Sequence, residues 1–341
     1  MAKASRLTRF GNDLYTGKRS FNFVGGRRKW YAVVALVLIL SVAIPLIRGV
    51  NLSIEFRGGS QFQIAGVQEA SAAPAEAAVQ EVVPGSVPRV AIVGGDGVRV
   101  QTEQLSQEET RELTTVLAEA YDVPEAEVTA TFIGPTWGAD VTRQTLIGLV
   151  AFLLLAAVIM ALYFRTIKMS LAAMIALLAD LVATVGIYAA VGFELSPAAM
   201  IGILTILSYS LYDTVVVFDK IRENTAEDGS ESRRTFPESV NLAVNQTLVR
   251  SINTSVVAAL PVAAILFIGA GVLGADTLRD ISLALLIGIL VGTWSTVFLA
   301  APLYSQLRER EPAIKRHDEK VLKERARAGA TDGQASAVTT V

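Results

Sequence analysis

The chain has 341 residues, of which 52% are hydrophobic and 18% charged, and its mean hydropathy is +0.47. Soluble domains carry about 25% charged residues, so this composition favours a membrane protein. The net charge of −2 gives no general basis for nucleic-acid binding, and the absence of cysteine excludes disulfides and thiolate chemistry. The single histidine, His317, lies in a polar segment, so neither a histidine metal site nor a histidine relay is expected.

Six segments are long and apolar enough to cross a bilayer. A helix rises ~1.5 Å per residue, so about 20 apolar residues span ~30 Å of hydrocarbon. The first covers 30–48 and is expected to remain as an anchor, because it exceeds a signal-peptide core and lacks a convincing cleavage site. The other five lie within 143–304, at approximately 144–164, 169–191, 197–218, 254–274 and 281–304. The sequence predicts an α-helical polytopic membrane protein with six transmembrane helices.

The distribution of positive charge predicts the orientation in the membrane. Residues 1–29 hold eight Lys or Arg against one acidic residue, and 305–341 hold eight basic residues. An excess of Lys and Arg marks cytoplasmic segments. We expect both termini in the cytoplasm of a bacterial cell, with 1–29 as a basic segment and 305–341 as a basic, disordered tail.

The largest segment between spans, 49–142, is acidic and is expected outside the cytoplasm. It holds four Arg against fourteen Asp or Glu. Ser106 and Glu109 form a capping box that predicts a helix start, and Gly94 to Gly97 is typical of a hairpin turn. The predicted elements are a strand at 56–64, a helix at 71–83, strands at 88–93 and 97–102, a helix ending near Tyr121 and a strand at 127–133. The order β-α-β-β-α-β predicts a small α+β, ferredoxin-like domain without a catalytic constellation.

Two acidic residues fall inside predicted spans. Asp180 lies eleven residues from the cytoplasmic end of the third span and Asp213 five residues from that of the fourth, or roughly 16 and 8 Å deep. A charge in hydrocarbon costs at least ~2.5 kcal/mol on insertion scales, so each needs a partner or a function. Thr205 and Tyr209 precede Asp213 at four-residue spacing, which predicts a polar face turned towards protein or water.

A polar start to the fifth span supplies a candidate partner for Asp213. The Arg250 side chain could reach the cytoplasmic half of the bundle with its aliphatic stem buried. We therefore expect Asp213 and Arg250 to form a switchable pair that protonation releases, the alternative being a permanent structural ion pair or a hydrogen-bonded carboxyl group. Asp180 is a third candidate, although it could simply stabilise a helix contact. The supporting polar residues are Thr205, Tyr209, Tyr212, Thr214, Gln246, Asn253 and Thr254.

Four stretches of this sequence resemble the SecD/SecF family of the RND superfamily. Within that family they are similar to motifs of the SecF members. They are NLSIEFRGGSQF at 51–62, SYSLYDTVVVFDKIREN at 208–224, VNQTLVRSINTS at 244–255 and LALLIGILVGTWSTVFLAAPLY at 283–304. The family motif residues among them are Gly58, Gly59, Asp219 and Arg222. The six-span layout with one outside domain agrees, so the resemblance covers the chain apart from its two tails.

The resemblance implies an accessory subunit that pairs with SecD beside the SecYEG channel. Such an assembly is expected to use the proton-motive force to complete the translocation of preproteins that SecA has driven partway. Protons would be the coupling ion, with no other cofactor and no enzymatic activity. The family's proton-pathway residues carry over onto Asp213 and Arg250. Tyr212 and Ala179 depart from the family pattern, the second where a histidine often precedes the aspartate of the third span.

Two other classes of function use intramembrane acids. A proton-coupled small-molecule exporter of the RND type would normally show two repeats and larger outside domains. An intramembrane aspartyl protease would need two close aspartates, which Asp180 and Asp213 superficially offer, but their estimated depths differ by ~8 Å and no GxGD-type motif is present.

Overall fold

A computed structural model describes residues 12–93, 96–227, 234–271 and 276–338. Lys3, Arg6 and Arg9 of the basic N-terminal segment lie outside these ranges, as do Gly94 and Gly95 of the expected hairpin turn.

Within the described ranges, six helices are long and apolar enough to cross a membrane. Membrane helices 1 to 6 are Arg27–Arg48, Pro135–Phe164, Ile167–Val191, Pro197–Glu227, Phe236–Gly271 and Asp276–Ser295, the last continuing through a π-helical turn at Thr296–Ala300 into Ala301–Arg308. Several extend beyond the predicted spans. The reason is that hydropathy detects only the part suited to hydrocarbon, whereas backbone hydrogen bonding continues into polar residues at the helix ends.

Local sequence explains the tight connection between membrane helices 3 and 4. Gly192 ends helix 3 with φ +84°, in the left-handed region that glycine adopts without steric cost. Pro197 is the first residue of helix 4, where a missing N–H costs nothing. The two helices therefore lie side by side, joined by a short loop that contains Glu194 and Leu195.

Close packing surrounds membrane helix 4. A Cβ atom added to Gly288 of helix 6 would lie 2.3 Å from Ile206, and one added to Gly292 would lie 2.8 Å from the Ser210 hydroxyl. The two glycines, four residues apart, thus let helix 6 lie directly against helix 4.

The segment between membrane helices 1 and 2 forms an antiparallel sheet in the order β2-β3-β1-β4. Its strands are β1 Gly59–Ile64, β2 Arg89–Val93, β3 Gly97–Thr102 and β4 Val128–Ile133. Helices Ala73–Val82 and Gln107–Ala120 complete the β-α-β-β-α-β order, which confirms the ferredoxin-like class. The predicted strand at 56–64 is in part wrong, since Ile54–Arg57 is a helical turn and the strand begins at Gly59.

The two faces of the sheet differ in polarity because side chains alternate along a strand. Phe62, Ile64, Val98 and Val100 are fully buried in the core beneath the two helices. The second helix of this core begins at the predicted capping box, in which Ser106 accepts a hydrogen bond from the Glu109 amide and Glu109 accepts one from the Ser106 amide. The hydrogen bond from the Ser106 amide lowers the pKa of Glu109 below its ordinary value, and the interaction with the Ser106 hydroxyl lowers it further by a smaller amount.

A helix occupies Pro312–Val338, where a disordered tail was expected. We call it the terminal helix. It packs against the start of membrane helix 5: Asp318 accepts a hydrogen bond from the Phe236 amide, and Arg325 forms an ion pair with Glu238 at 2.7 Å. The polar composition of this segment is typical of a solvated tail. The tertiary contacts that stabilise it as a helix could not be predicted from composition alone.

The Gly58–Gly59 pair imposes a testable constraint on the sheet. Gly59 has φ +136°, and a Cβ there would lie 2.5 Å from the Thr102 carbonyl oxygen. Gly59→Ala should destabilise the sheet by about 3 kcal/mol, combining backbone strain with a clash. Gly66→Ala is the control, since Gly66 has φ +70° but open space around it, and should cost only about 1 kcal/mol. Amide hydrogen exchange of β1 and β3 in the full chain measures both, and equal protection in the two variants would contradict the assignment.

Candidate functional site

The buried carboxyl groups of the bundle are both bound by serine hydroxyls on neighbouring helices. Asp213 lies on membrane helix 4 and is 7% exposed. The Ser251 hydroxyl of helix 5 donates a hydrogen bond of 2.8 Å to its Oδ1. Asp180 on helix 3 is 3% exposed and accepts a 2.5 Å hydrogen bond from Ser210 of helix 4 at Oδ2. Helix 4 therefore binds both neighbouring helices through polar groups three residues apart.

Further hydroxyl contacts join helices 4 and 5 to helix 6. Thr214, next to Asp213, lies 3.0 Å from Thr296 between their hydroxyl oxygens. The hydroxyl oxygen of Ser255, one turn beyond Ser251, lies 2.6 Å from the hydroxyl oxygen of Thr293. Thr296 begins the π-helical turn of helix 6, a feature that is frequent at functional sites.

Three buried polar atoms of this region have no hydrogen-bond partner among the described residues. They are Asp180 Oδ1, Asp213 Oδ2 and the Tyr209 hydroxyl. A carboxylate buried without full pairing is costly, and a neutral carboxyl group avoids that cost by carrying a proton. Each aspartate thus has one oxygen bound by a serine hydroxyl and one without a partner among the described residues.

The expected pair between Asp213 and Arg250 is not formed in this structure. Arg250 is exposed, and these two described residues form no ion pair within 4 Å, although the charge of Arg250 still acts on the Asp213 carboxyl group over a longer distance. The reason is angular, because consecutive residues of a helix point about 100° apart. Ser251 faces helix 4, so its neighbour Arg250 is turned towards the outside of the bundle.

The other predicted polar residues divide into three groups. Thr214 joins the hydroxyl contacts, and Tyr209 is half-buried. Gln246 instead binds the N-terminal segment, donating to the Tyr15 carbonyl at 3.1 Å and accepting from Asn224 at 3.0 Å. The third group is exposed or faces its own helix backbone, and comprises Thr205, Tyr212, Asn253 and Thr254.

The motif residues of the resemblance have mainly structural contacts. Gly58 has φ +77°, and a Cβ there would lie 3.1 Å from Pro135, where membrane helix 2 begins. Asp219 accepts a 2.6 Å hydrogen bond from the Tyr163 hydroxyl of helix 2 and lies 3.9 Å from Arg222.

A second polar site, which we call the sheet dock, joins the sheet to the loop between membrane helices 3 and 4. Arg99 of β3 forms an ion pair with Glu194 at 3.0 Å, and Gln101 donates to the same carboxylate at 2.7 Å. Backbone bonds reinforce the contact: the Leu195 amide donates to the Asn51 carbonyl, and the Ser53 amide donates to the Leu195 carbonyl. The polar face of the sheet is thereby fixed to the ends of helices 3 and 4.

Sequence reasoning missed the residues that actually bind the two aspartates across the bundle. Ser251 lies in a row of small hydroxyl residues at four-residue spacing, Thr247, Ser251 and Ser255, all buried. This periodicity was visible in the sequence and marks the face of helix 5 that meets helix 4. No sequence signal distinguishes Thr293 or the π-helical turn at Thr296.

The fold and this site define a multi-pass membrane protein with buried carboxyl groups and a small domain fixed to its bundle. The family model described as protein export membrane protein SecD/SecF, C-terminal, matches residues 113–310, and the SecD/SecF GG motif matches 44–69. The chain therefore belongs to the SecD/SecF protein-export family.

Relatives and solved structures agree with this membership. The protein translocase subunit SecF of Streptomyces coelicolor is 41% identical over 97% of this chain and 88% of its own length. That of Mycobacterium tuberculosis is 38% identical over 97% of this chain and 76% of its own. The crystal structure of SecDF from Thermus thermophilus, a translocon-associated membrane protein, is 29% identical with a TM-score of 0.75. It matches 86% of this chain, which spans only 39% of that longer one.

The contact between helices 4 and 6 gives a prediction about the site. Gly292→Ala should displace the Ser210 hydroxyl, which lies 2.8 Å from the new Cβ, and so weaken its bond to Asp180. Overpacking of this kind costs about 1–3 kcal/mol. Gly148→Ala in membrane helix 2 meets nothing within 4 Å and is the control. Thermal denaturation in detergent should show a lower midpoint for Gly292→Ala only, and a midpoint equal to wild type would contradict the packing.

Proposed function

We propose that this chain is the smaller subunit of a two-part export accessory, pairing with a SecD subunit beside the Sec channel and drawing on the proton-motive force to promote polypeptide translocation. Family membership supports the export role. The observation that carries the proton coupling is the Asp213 carboxyl group, buried between membrane helices 4 and 5. One of its oxygens is bound by Ser251, and the other has no partner in the described parts of the chain.

Protonation of Asp213 would change the contact between two membrane helices. A charged carboxylate needs several hydrogen-bond donors around it, of which the Ser251 hydroxyl is one. A neutral carboxyl group needs fewer donors, because it carries an O–H of its own. Moving one charge through the membrane field supplies ~2.3 kcal/mol per 100 mV. Since each ~1.4 kcal/mol is a tenfold change in an equilibrium constant, one proton can shift a two-state equilibrium by one to two powers of ten.

The sheet dock offers a path from the bundle to the outside domain. Glu194 and Leu195 lie in the loop between membrane helices 3 and 4, the helices that carry Asp180 and Asp213. A shift of helix 4 would move this loop and, through the ion pair with Arg99, the sheet. In this proposal the domain uses that motion to hold emerging polypeptide and prevent backsliding.

An exposed polar surface supports the SecD partnership. Tyr212 is 54% exposed beside buried Asp213, and Arg250 and Asn253 are exposed on either side of the buried Ser251 turn. Polar side chains at membrane depth rarely face lipid, so a protein partner is the expected neighbour. Tyr212, Arg250 and Asn253 belong to helices 4 and 5, whereas the exposed surfaces of membrane helices 1 and 2 are apolar.

The orientation in the membrane is also part of the proposal. The N-terminal segment and the terminal helix lie at the same end of the bundle, where Arg27 and Glu309 form an ion pair at 2.5 Å. The excess of basic residues at this end supports a cytoplasmic location, with the acidic sheet outside the cytoplasm of a bacterial cell.

The two alternative functions gain no support. Asp180 and Asp213 bind different serines on different helix pairs, which does not fit the shared carboxyl dyad of an aspartyl protease. The relatives are translocase subunits, and none of the reported matches is a small-molecule exporter.

Replacing Asp213 tests the proton coupling. Asp213→Asn keeps the shape and the Ser251 contact but cannot change charge, so the potential-dependent part of export in inverted membrane vesicles should fall at least tenfold while assembly with SecD persists. Asp140→Asn, an exposed carboxylate of membrane helix 2, is the control and should export normally. Normal potential-dependent export by Asp213→Asn would rule the proposal out.

Cross-linking tests the partner surface, because the chain has no cysteine of its own. Tyr212→Cys should cross-link to SecD through a short thiol-reactive linker in membranes that contain both subunits. Leu162→Cys, 72% exposed on the apolar surface of membrane helix 2, should not. Cross-linking of Leu162→Cys alone would place SecD on the wrong face of the bundle for this proposal.

A further inference from the structure

A cavity of about 450 Å³ lies at the end of the bundle opposite the sheet, between the terminal helix and the ends of membrane helices 4, 5 and 6. It is separate from the aspartates of the bundle, none of which lines it. Thr225 contributes from helix 4 and Phe236 and Ser239 from helix 5. The described residues that line it include no acidic side chain, and the basic ones are Arg234, Arg308, Arg316, His317 and Lys320.

The positive charge of this basic cavity is only partly compensated by nearby acids. The Arg308 guanidinium is fixed by Glu311 at 3.0 Å and lies 5.5 Å from the Phe236 ring centre. Among the described residues Lys320 pairs only with Glu324, an exposed carboxylate at 3.9 Å, and such pairs contribute little. Arg316 forms no ion pair within the described parts of the chain. An anion that entered the cavity would therefore meet unneutralised donors.

The basic cavity combines this charge with apolar surface. Phe236, Ala313 and Ile314 line it together with the basic side chains, and apolar atoms form most of the wall. Guanidinium groups and lysine are the side chains that bind phosphate oxygens, Arg by a planar fork and Lys as a point charge. Carbon chains attached to a phosphate could pack against the apolar lining residues while the phosphate binds the basic side chains.

The terminal helix is positioned by its own contacts, so the cavity does not depend on a ligand to form. His317, the chain's single histidine, lies 3.2 Å from the Arg234 carbonyl oxygen, and Val321 is 2% exposed one turn further along. Both contacts fix the terminal helix against the bundle, so that Arg316 and Lys320 line the cavity while remaining exposed to solvent.

We propose that the basic cavity binds the phosphate group of an anionic molecule, supplied either by a phospholipid headgroup or by a soluble phosphate. Binding would join the terminal helix to membrane helix 5 and so protect it against local opening. The proposal concerns a site distinct from the proton-coupling residues and stands independently of them.

Hydrogen exchange of residues 312–327 in the full-length protein tests the proposal. The probes are nanodiscs of phosphatidylcholine with and without phosphatidylglycerol, and inorganic phosphate added to the phosphatidylcholine discs. Exchange should slow at least tenfold with one of the probes. Slowing by phosphatidylglycerol alone identifies a lipid headgroup, and slowing by inorganic phosphate identifies a soluble ligand.

Two double variants with the same change in charge separate the cavity from general surface charge. Arg316→Gln with Lys320→Gln should weaken the protection about 10- to 30-fold, since each basic residue near an anionic surface is worth about fivefold in binding. Lys315→Gln with Lys323→Gln removes exposed charges of the same helix that do not line the cavity, and should keep wild-type protection. All four residues carry exposed charges, and unchanged exchange in the membrane helices verifies folding.

Two results would overturn the proposal. Equal loss in both double variants would show a diffuse charge effect, and no slowing with either probe in the wild type would show that the basic cavity does not bind the phosphate of an anionic molecule.

Discussion

The hydrogen bond between Ser251 and Asp213 is the interaction on which the account of this molecule depends. A bilayer offers no water to a buried carboxyl group, so the protein must supply its partners or leave it neutral. Here the partner is a single hydroxyl at 2.8 Å, and the second oxygen has none among the described residues. Such a group is held in place through one oxygen while the other is left without a donor, and the proposed reversible proton binding requires this arrangement.

Membrane helix 4 connects this carboxyl group to the rest of the fold. Its Ser210 binds Asp180 on helix 3, its Thr214 meets helix 6, and glycine on helix 6 lets the helices approach closely. At its other end the loop before Pro197 is fixed to the sheet through Glu194. Because packed helices rearrange as discrete units rather than deforming continuously, a change at Asp213 can reach the sheet without any large local movement.

The sequence predicted the elements whose signals are local and missed those set by tertiary contacts. Six apolar spans, the capping box at Ser106 and the alternating strands all follow from composition and period. The hydrogen bond between Ser251 and Asp213 was not predicted, because the positive charge of Arg250 made that residue the expected partner. The angle of about 100° between consecutive helix residues turns Ser251 inward instead. The terminal helix was missed for a related reason, since its contacts with Phe236 and Glu238 join residues about 80 positions apart.

The most direct test of the central claim is whether Asp213 itself binds and releases a proton. Infrared difference spectra of the reconstituted protein, recorded between acidic and alkaline pH, detect the carbonyl stretch of a protonated carboxyl group. The account predicts a band that is present in the wild type and in Asp140→Asn and is lost in Asp213→Asn. A band that persists unchanged in Asp213→Asn would show that the proton is bound elsewhere and would contradict the account.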